Sequence, residues 1–330
     1  MEEFYRSWAG RLPQLVDGYI YDDNKQLYPT RRVFSDFTGI MRRFVDNKLP
    51  ENEKIIILSG IRGAGKTTFL TQLYNIEKYL QMPALKDRFY LDAGKLILEG
   101  GTLNEFFKYY EKVKGLNFES LSGKTLILLD EIYYDENWGL FLKNMFDRTK
   151  GHRNLLIIAT GSSSIKLKMN PDLARRTSLV DLYPLNFSEY LELKYKKKYE
   201  SDPSDKLRAI LFESKNAEEV HKRIAGVRNE IEKIFAGLPE TAEEEYFIRG
   251  GFPFALGMEN NLHAFEMVKN VISNIISKDI VVFKKFGSQV LSKINDLIYL
   301  LASSDVISYE KLLSSLKITD HRTLESLMDS

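Results

Sequence analysis

The sequence contains no cysteine and no apolar run that approaches the length of a membrane span. Without cysteine, the 330-residue chain forms no disulfides, thiolate zinc sites or cysteine nucleophiles. Its apolar runs fall short of the roughly 20 residues that cross a bilayer, and its first residues lack the basic and apolar regions of a secretory signal. We therefore expect a soluble, cytoplasmic protein that makes no membrane contact.

The sequence also lacks an excess of either charge, because 47 Lys and Arg residues oppose 46 Asp and Glu residues. A net charge of +1 does not draw the whole molecule to nucleic acid, so any such contact must come from a local patch. The four histidines are isolated along the chain, and the only metal that we expect is Mg²⁺ bound with a nucleotide.

From about residue 54, short β-rich apolar runs alternate with amphipathic stretches. This alternation predicts an α/β fold in which helices cover both faces of a parallel sheet. The predicted strands are 54–58, 88–91, 125–129, 155–160 and 178–182. The predicted helices are 66–80, 103–113 and 138–149. Residues 187–300 show no strand pattern and predict a helical region.

The stretch GIRGAGKT at residues 60–67 fits the phosphate-binding pattern G-x-x-x-x-G-K-[ST] between a strand and a helix. Its glycines let main-chain N–H groups face an anion, and the helix N-terminus adds partial positive charge. Lys66 can then reach the β- and γ-phosphates, and the Thr67 hydroxyl can bind Mg²⁺. The predicted nucleotide-binding residues of this P-loop are Gly60, Arg62, Gly63, Ala64, Gly65, Lys66, Thr67 and Thr68.

A second motif, LILLDE at residues 126–131, ends an apolar strand in two acids. We predict that these acids lie at the sheet edge where the P-loop opens. Asp130 would hold Mg²⁺ through water, and Glu131 would polarise the attacking water as general base. The extra strand at 88–91 and the adjacent glutamate are typical of ATPases that insert a strand between these two motifs. The NKxD motif of a GTPase is missing.

A third apolar strand ends in Thr160, and Gly161 and three serines follow it. A hydroxyl at this position would lie beside the γ-phosphate and sense its hydrolysis. Thr160 and Ser162 are the candidates, although a polar helix cap explains either residue nearly as well.

These motifs, in this order, resemble AAA+-type ATPases related to the archaeal ATPase and STAND branches, which carry a winged helix and an uncharacterised C-terminal domain. The resemblance runs from about residue 30 to residue 330. Its matching stretches are GIRGAGKTT at 60–68, LILLDEI at 126–132 with Trp138 and Leu142-Lys143, IIATGSSS at 157–164, LARR at 173–176, LYPLNFSEY at 182–190 and GGFP at 250–253.

The resemblance implies roles for residues outside the first two motifs. Arg176 would neutralise phosphate charge, in cis or from a neighbouring subunit, although the family has Gly-Arg where this chain has Arg175-Arg176. Gly251 and Pro253 match a G-x-P element with which a helical lid touches adenine and ribose. A surface arginine and a helix-starting turn are the plain alternatives. The 184–190 stretch would be structural, with Asn186 or Ser188 capping a helix.

Residues 306–327 predict a helix, a short turn and a second helix, as in a helix-turn-helix. We expect Ser308 and Thr319 to cap the two helices. The expected shared core comprises Leu312, Leu313, Leu316, Ile318, Leu324 and Leu327. The second helix offers only His321 and Arg322 as donors to DNA, so we favour protein packing there. The resemblance implies wing strands and a further domain beyond the last residue.

We predict a Mg²⁺-dependent ATPase that couples its nucleotide state to movement of a lid and a winged helix. The expected regions are an N-terminal segment at 1–53, a P-loop core at 54–190, a helical lid at 191–285 and an incomplete winged-helix domain at 286–330. Three alternatives stay open: a STAND-like signalling switch, a small-molecule phosphotransferase, and a DNA-directed ATPase of a mobile element or defence system. The expected partners are ATP or ADP and either another protein or a second copy of the chain.

Overall fold

The computed structural model describes residues 1–80, 85, 87–161, 173, 175–197, 203–280 and 288–328. The chain divides into two compact units, Met1–Val268 and Lys269–Ser330. The sequence analysis divides the chain more finely, into four regions, and the boundaries of those regions stay predictions.

The first unit is built on a five-stranded sheet whose neighbouring strands all run parallel. Its strands are β1 Ile55–Ser59, β2 Asp87–Asp92, β3 Thr125–Asp130, β4 Leu155–Gly161 and β5 Ser178–Asp181. They lie in the order β2-β3-β4-β1-β5, so β4 separates the strand before the P-loop from the strand that bears the acids. Every residue of β1, β3 and β4 is buried. This is the predicted P-loop NTPase α/β fold.

Helices flank the strands along the chain, and the first two precede the sheet. The helices up to β5 are α1 Glu2–Gly18, α2 Val33–Val45, α3 Lys66–Tyr74, α4 Ile76–Tyr79, α5 Ala93–Leu98, α6 Leu103–Lys114 and α7 Trp138–Arg148. The single helix predicted at 66–80 is wrong, because Asn75 leaves helical geometry at φ −105° and ψ 35°. Its side-chain amide donates to the carbonyl of Thr71, at 3.1 Å, and α3 ends there.

The N-terminal helix α1 packs on the main core through residues spaced three or four apart, namely Tyr5, Trp8, Leu12 and Val16. Its anchor is Trp8, which stacks on Tyr90 of β2 and donates its indole N–H to the Tyr90 carbonyl at 2.8 Å. The same helix therefore buries apolar surface and satisfies a buried main-chain acceptor.

After β5 the first unit is helical over its described residues, as predicted. Its helices are α8 Phe187–Tyr195, α9 Pro203–Glu213, α10 Ala217–Phe235, α11 Ala242–Arg249 and α12 Asn261–Asn274, the last of which extends into the second unit. We call residues 187–268 the helical segment. Tyr190, Leu191 and Ala242 of this segment form a small core with Leu185, which precedes it, and this core is separate from the core around the sheet.

The second unit contains a π-helical turn, Ile275–Ile280, and the helices α13 Ser288–Ala302, α14 Tyr309–Ser315 and α15 His321–Met328. Its core is formed by Ile276, Ile294, Leu297, Leu312, Leu316, Ile318, Leu324 and Leu327. Leu313 packs partly buried against it. Ser308 caps α14 as predicted, by accepting the N–H of Lys311 at 3.2 Å.

The predicted cap of the last helix is wrong by one residue. Asp320, rather than Thr319, accepts the Arg322 N–H at 3.2 Å and the Thr323 hydroxyl at 3.0 Å. An aspartate and a threonine are both good caps, and the position at which the turn ends decides between them. Within the described ranges, none of the helices combines the length and the apolar character that crossing a bilayer demands.

Replacing Trp8 with Phe should lower the free energy of unfolding by about 1–3 kcal/mol, because the buried Tyr90 carbonyl loses its donor. Trp138→Phe is the matched control for lost ring volume, since the two tryptophans are 2% and 3% exposed. Urea denaturation of both variants measures the difference. Equal losses in the two variants would contradict the role given to the Trp8 hydrogen bond.

Candidate functional site

The P-loop leaves β1 at Ser59 and enters α3 at Lys66. Gly63 and Gly65 adopt φ values of +80° and +91°, which residues with side chains rarely adopt. A Cβ atom on Gly60 would lie 2.3 Å from the carbonyl oxygen of Leu182. Gly60 is therefore required by the close passage of the chain beyond β5, a reason that the sequence motif does not reveal.

Lys66 is 7% exposed and points back into its own loop. Its ammonium group donates to the carbonyl oxygens of Gly60, at 2.7 Å, and Ile61, at 2.8 Å. Arg62 lies on the same loop and donates to the hydroxyl of Tyr133 at 3.4 Å. The P-loop thus places the side chains of Lys66 and Arg62 at the carboxyl edge of the sheet. Within α3, the carbonyl of Thr68 accepts the Thr71 hydroxyl.

The carboxylate of Asp130 joins three elements of this edge. Its Oδ2 atom accepts the Thr67 hydroxyl at 2.6 Å and the Tyr90 hydroxyl at 3.0 Å. The Thr160 hydroxyl, at the end of β4, donates to its Oδ1 atom. The structure therefore brings together the predicted Thr67, Asp130 and Thr160, and adds Tyr90.

Glu131 directly follows Asp130 and has a left-handed backbone, with φ 49° and ψ 44°. Its N–H donates to the Thr160 hydroxyl at 3.0 Å, which helps to hold this strained conformation. Burial raises the pKa of its carboxyl above the ordinary value, and the negative charges of Asp130 and Asp92 add to the rise. The positive charges of Arg62 and Lys66 oppose it. A more basic carboxylate in this position suits proton abstraction.

Two further residues of β2 belong to the site, and the sequence analysis missed both. Asp92 lies in register with Asp130 and caps α5 by accepting the N–H of Lys95 at 3.1 Å. Burial raises the pKa of Asp92, and the charge of Asp130 adds to the rise. Burial also raises the pKa of Tyr90, whose hydroxyl donates to Asp130. The signal available in the sequence was Asp92 itself, an acid that directly follows the strand predicted at 88–91.

The oxygen atoms at this edge suit Mg²⁺. A hydroxyl and a carboxylate, from Thr67 and Asp130, lie within 2.6 Å of each other beside the P-loop. In the part of the chain that the structure describes, no group of three or more His, Cys, Asp or Glu side chains forms a metal site. A cation held here would therefore complete its shell with phosphate oxygens and water, as Mg²⁺ commonly does.

Arg31 precedes α2 and was not identified from the sequence. Its Nε and Nη2 atoms donate to the two carboxylate oxygens of Glu189 in α8, at 3.0 and 2.7 Å. Its Nη1 atom donates to the carbonyls of Ala64 and Tyr183, both at 2.9 Å. One guanidinium group thus joins the P-loop, the chain beyond β5 and the helical segment.

Pro253 lies beside the P-loop, and Gly251 lies against Leu185 and Pro184. A Cβ atom on Gly65 would lie 3.5 Å from Pro253, and one on Gly63 would lie 2.9 Å from the ring of Phe254. Gly251 has φ +69°, and its carbonyl accepts the N–H of Leu185 at 2.7 Å. Their contact with adenine and ribose stays a prediction.

Arg176 does not reach this edge in the structure. It precedes β5 and therefore lies at the amino edge of the parallel sheet, opposite the P-loop, where its Nε atom lies 3.3 Å from Asp147. This position does not favour a contact with a nucleotide at the P-loop of the same chain, and the predicted contact of Arg176 with phosphate, in cis or from a neighbouring subunit, stays a prediction. Ser162, the other hydroxyl candidate, lies outside the described residues.

A family model and several known proteins are similar to parts of this chain. Residues 52–191 match a family model described as an AAA domain. An uncharacterized protein of Methanocaldococcus jannaschii, MJ1637, is 34% identical over 294 residues, which are 88% of this chain and 57% of that protein. A second protein of that organism, MJ1544, also uncharacterized, is 29% identical over 167 residues, which are 48% of this chain and 34% of that protein. The chain thus spans about half the length, or less, of these relatives.

Among solved structures, a Walker-type ATPase of Pyrococcus abyssi is 17% identical and superposes with a TM-score of 0.43 over 92% of this chain and 96% of that one. The AAA domain match agrees with the resemblance to AAA+-type ATPases noted in the sequence. The winged helix and the STAND branch stay predictions.

Replacing Gly251 with Ala should destabilise the first unit by about 2–4 kcal/mol. The new Cβ would lie 2.5 Å from the Leu185 carbonyl oxygen, at a backbone conformation that suits glycine. Gly257→Ala is the control, because nothing lies within 4 Å of a Cβ there and its φ is ordinary. Thermal unfolding of both variants measures the effect. Two equal melting temperatures would show that Gly251 is not needed at this contact.

Proposed function

We propose that this chain binds ATP with Mg²⁺ at its P-loop and hydrolyses the bond between the β- and γ-phosphates. We also propose that its helical segment responds to the nucleotide as a lid. The observation that carries the proposal is the 2.6 Å contact between Thr67 of the P-loop and Asp130 at the end of β3. It sets the predicted phosphate site directly against the predicted acids. The AAA domain matched at residues 52–191 supports the same reading.

Each residue of the edge has a distinct part in this proposal. Lys66 and the main-chain N–H groups of the P-loop bind the phosphates. Thr67 and Asp130 hold Mg²⁺, which when bound neutralises phosphate charge. Glu131 orients the attacking water and accepts its proton. Thr160 fixes both acids, through the Asp130 carboxylate and the Glu131 N–H, and would register the loss of the γ-phosphate.

The helical segment would contribute to the nucleotide site through Gly251 and Pro253. Pro253 lies against Gly65, where its apolar ring can pack on a base or a ribose. Leu185 binds Gly251, so the first turn of α8 and the Pro253 turn would move together. We propose that this part of the chain closes on the nucleotide and opens after hydrolysis.

Arg176 would act on a neighbouring copy rather than on its own nucleotide. Its place at the amino edge of the sheet supports this assignment, because the P-loop opens at the other edge. A second copy of the chain is therefore the partner that we propose.

For the second unit we propose a helix-turn-helix role in packing against protein, since few cations lie on α15.

A STAND-like switch is the second candidate function. Arg31 and Pro253 hold the P-loop from two sides, which favours slow exchange of a bound nucleotide. Retention of ADP through purification, with turnover below about one per minute, would favour the switch over a rapidly cycling ATPase. Turnover of about 1 s⁻¹ or faster, as in ordinary enzymes, would remove this candidate.

Glu131→Gln should keep ATP binding while reducing turnover by about 10²- to 10⁴-fold, because the amide keeps the shape but cannot accept the proton. Phosphate release measures turnover, and calorimetric titration with ATP and Mg²⁺ measures binding. Unchanged phosphate release would remove Glu131 from the role of base.

Lys66→Ala should weaken ATP binding about 10- to 100-fold, because a charge-assisted hydrogen bond to phosphate is lost. Lys108→Ala, at an exposed position of α6, is the control for a lost surface charge. Calorimetry compares the two dissociation constants. If both variants bind ATP as the unaltered chain does, the phosphates do not sit at this loop.

A further inference from the structure

Arg31 is held by more hydrogen bonds than a surface arginine needs. Four of the five N–H groups of its guanidinium are engaged, two by Glu189 and two by the carbonyls of Ala64 and Tyr183. The Arg31 side chain is 10% exposed and that of Glu189 is 8% exposed. A planar fork with fixed donor directions fits this set of acceptors, whereas a lysine ammonium does not.

At one end, Arg31 is hydrogen-bonded to the main chain of the P-loop, so its position depends on the conformation of that loop. Ala64 lies between the two glycines with positive φ, and its carbonyl accepts the Arg31 Nη1–H at 2.9 Å. Gly63, Ala64 and Gly65 share consecutive peptide groups. Any change in the loop that turns its N–H groups towards phosphate therefore also turns the Ala64 carbonyl.

At the other end, Arg31 meets a carboxylate that is fixed in the first turn of α8. The N–H of Glu189 donates to Asn186, the cap of that helix, at 2.8 Å. The carboxylate also accepts the main-chain N–H of Arg32 at 3.2 Å. Because Glu189 is rigidly placed, displacement of Arg31 is transmitted to α8 rather than absorbed by a mobile side chain.

From α8 the connection continues to the turn that faces the P-loop. Leu185, just before α8, donates its N–H to Gly251 and accepts the Tyr246 hydroxyl at 2.9 Å. The Pro253 turn follows, against Gly65. A continuous series of contacts therefore begins at Ala64 of the P-loop, passes through Arg31, Glu189 and the first turn of α8, and ends where the Pro253 turn lies against Gly65.

We infer that Arg31 is the residue that couples the P-loop to the helical segment, an inference that rests on the nucleotide binding proposed above. It is a positioning residue and touches no reacting atom. Nucleotide in the P-loop shifts the Ala64 carbonyl, Arg31 shifts with it, and Glu189 carries the change into α8. Removal of either charged partner leaves the nucleotide site intact and disconnects the helical segment from it.

The chain offers a matched control on the same helix. Arg32 pairs with Glu192 at 2.7 Å, and this pair also joins the region before α2 to α8. The two carboxylates lie three residues apart, on neighbouring turns. Glu189→Gln and Glu192→Gln remove the same charge from the same helix, while only Glu189 binds the arginine that holds the Ala64 carbonyl.

Amide hydrogen exchange of the full chain, with and without ATP and Mg²⁺, tests the inference. In the unaltered chain we expect nucleotide to slow exchange at residues 60–68 and to change exchange at residues 187–195 and 250–256. In Glu189→Gln we expect protection at 60–68 to persist, while the response of the other two stretches falls about fivefold or more. Glu192→Gln should respond as the unaltered chain does.

Arg31→Lys is the second variant, in case Glu189→Gln does not fold. It keeps the positive charge but not the fork, so it should also lose the response of α8. The inference is overturned if both folded variants keep the full response, or if Glu192→Gln loses it equally. Protection at 60–68 without any response of α8 in the unaltered chain would overturn the coupling and leave the nucleotide site standing. No protection at 60–68 in that chain would overturn both.

Discussion

The hydrogen bond between Thr67 and Asp130 is the contact on which the rest of the site depends. Thr67 lies in the first turn of α3, which follows β1, whereas Asp130 ends β3, and β4 separates β3 from β1 in the sheet. Their meeting requires the parallel order of the strands and the tight P-loop, whose glycines permit its backbone and its passage past Leu182. Tyr90 and Thr160 then fix the same carboxylate from either side. The core of the fold thus fixes the position of the Asp130 carboxylate next to the P-loop.

Support for this edge extends beyond the sheet. The N-terminal helix holds Tyr90 through Trp8, and Arg31 holds the P-loop through Ala64. Residues before the first strand therefore contact both halves of the site. A buried arginine with a buried carboxylate is costly unless its remaining donors are satisfied, and here the two carbonyls satisfy them. Such a group is better suited to fixing one arrangement of parts than to adding stability.

The sequence predicted the parts of the site that local pattern specifies. The alternation of apolar runs, the spacing of the glycines and the residues at the strand ends located the P-loop, the two acids and Thr160. Each of these patterns involves only residues that are close together in the chain. Arg31 and Tyr90 could not be found in this way, since their partners lie far along the sequence: 158 residues separate Arg31 from Glu189, and 40 separate Tyr90 from Asp130. The break at Asn75 and the cap at Asp320 were missed because neighbouring residues had similar propensities, and the tertiary structure chose between them. The resemblance identified Gly251 and Pro253, although only the fold shows that Pro253 lies against Gly65 and that Gly251 is required by its close contact with the Leu185 carbonyl.

The central claim is that the P-loop and the carboxylates of β3 form one Mg²⁺-dependent nucleotide site. Calorimetric titration of the unaltered chain with ATP, in Mg²⁺ and again in excess EDTA, tests it most directly. The account predicts saturable binding of one nucleotide per chain in Mg²⁺, and weaker binding when the metal is removed. An absence of binding in Mg²⁺, or equal affinity in EDTA, would contradict it.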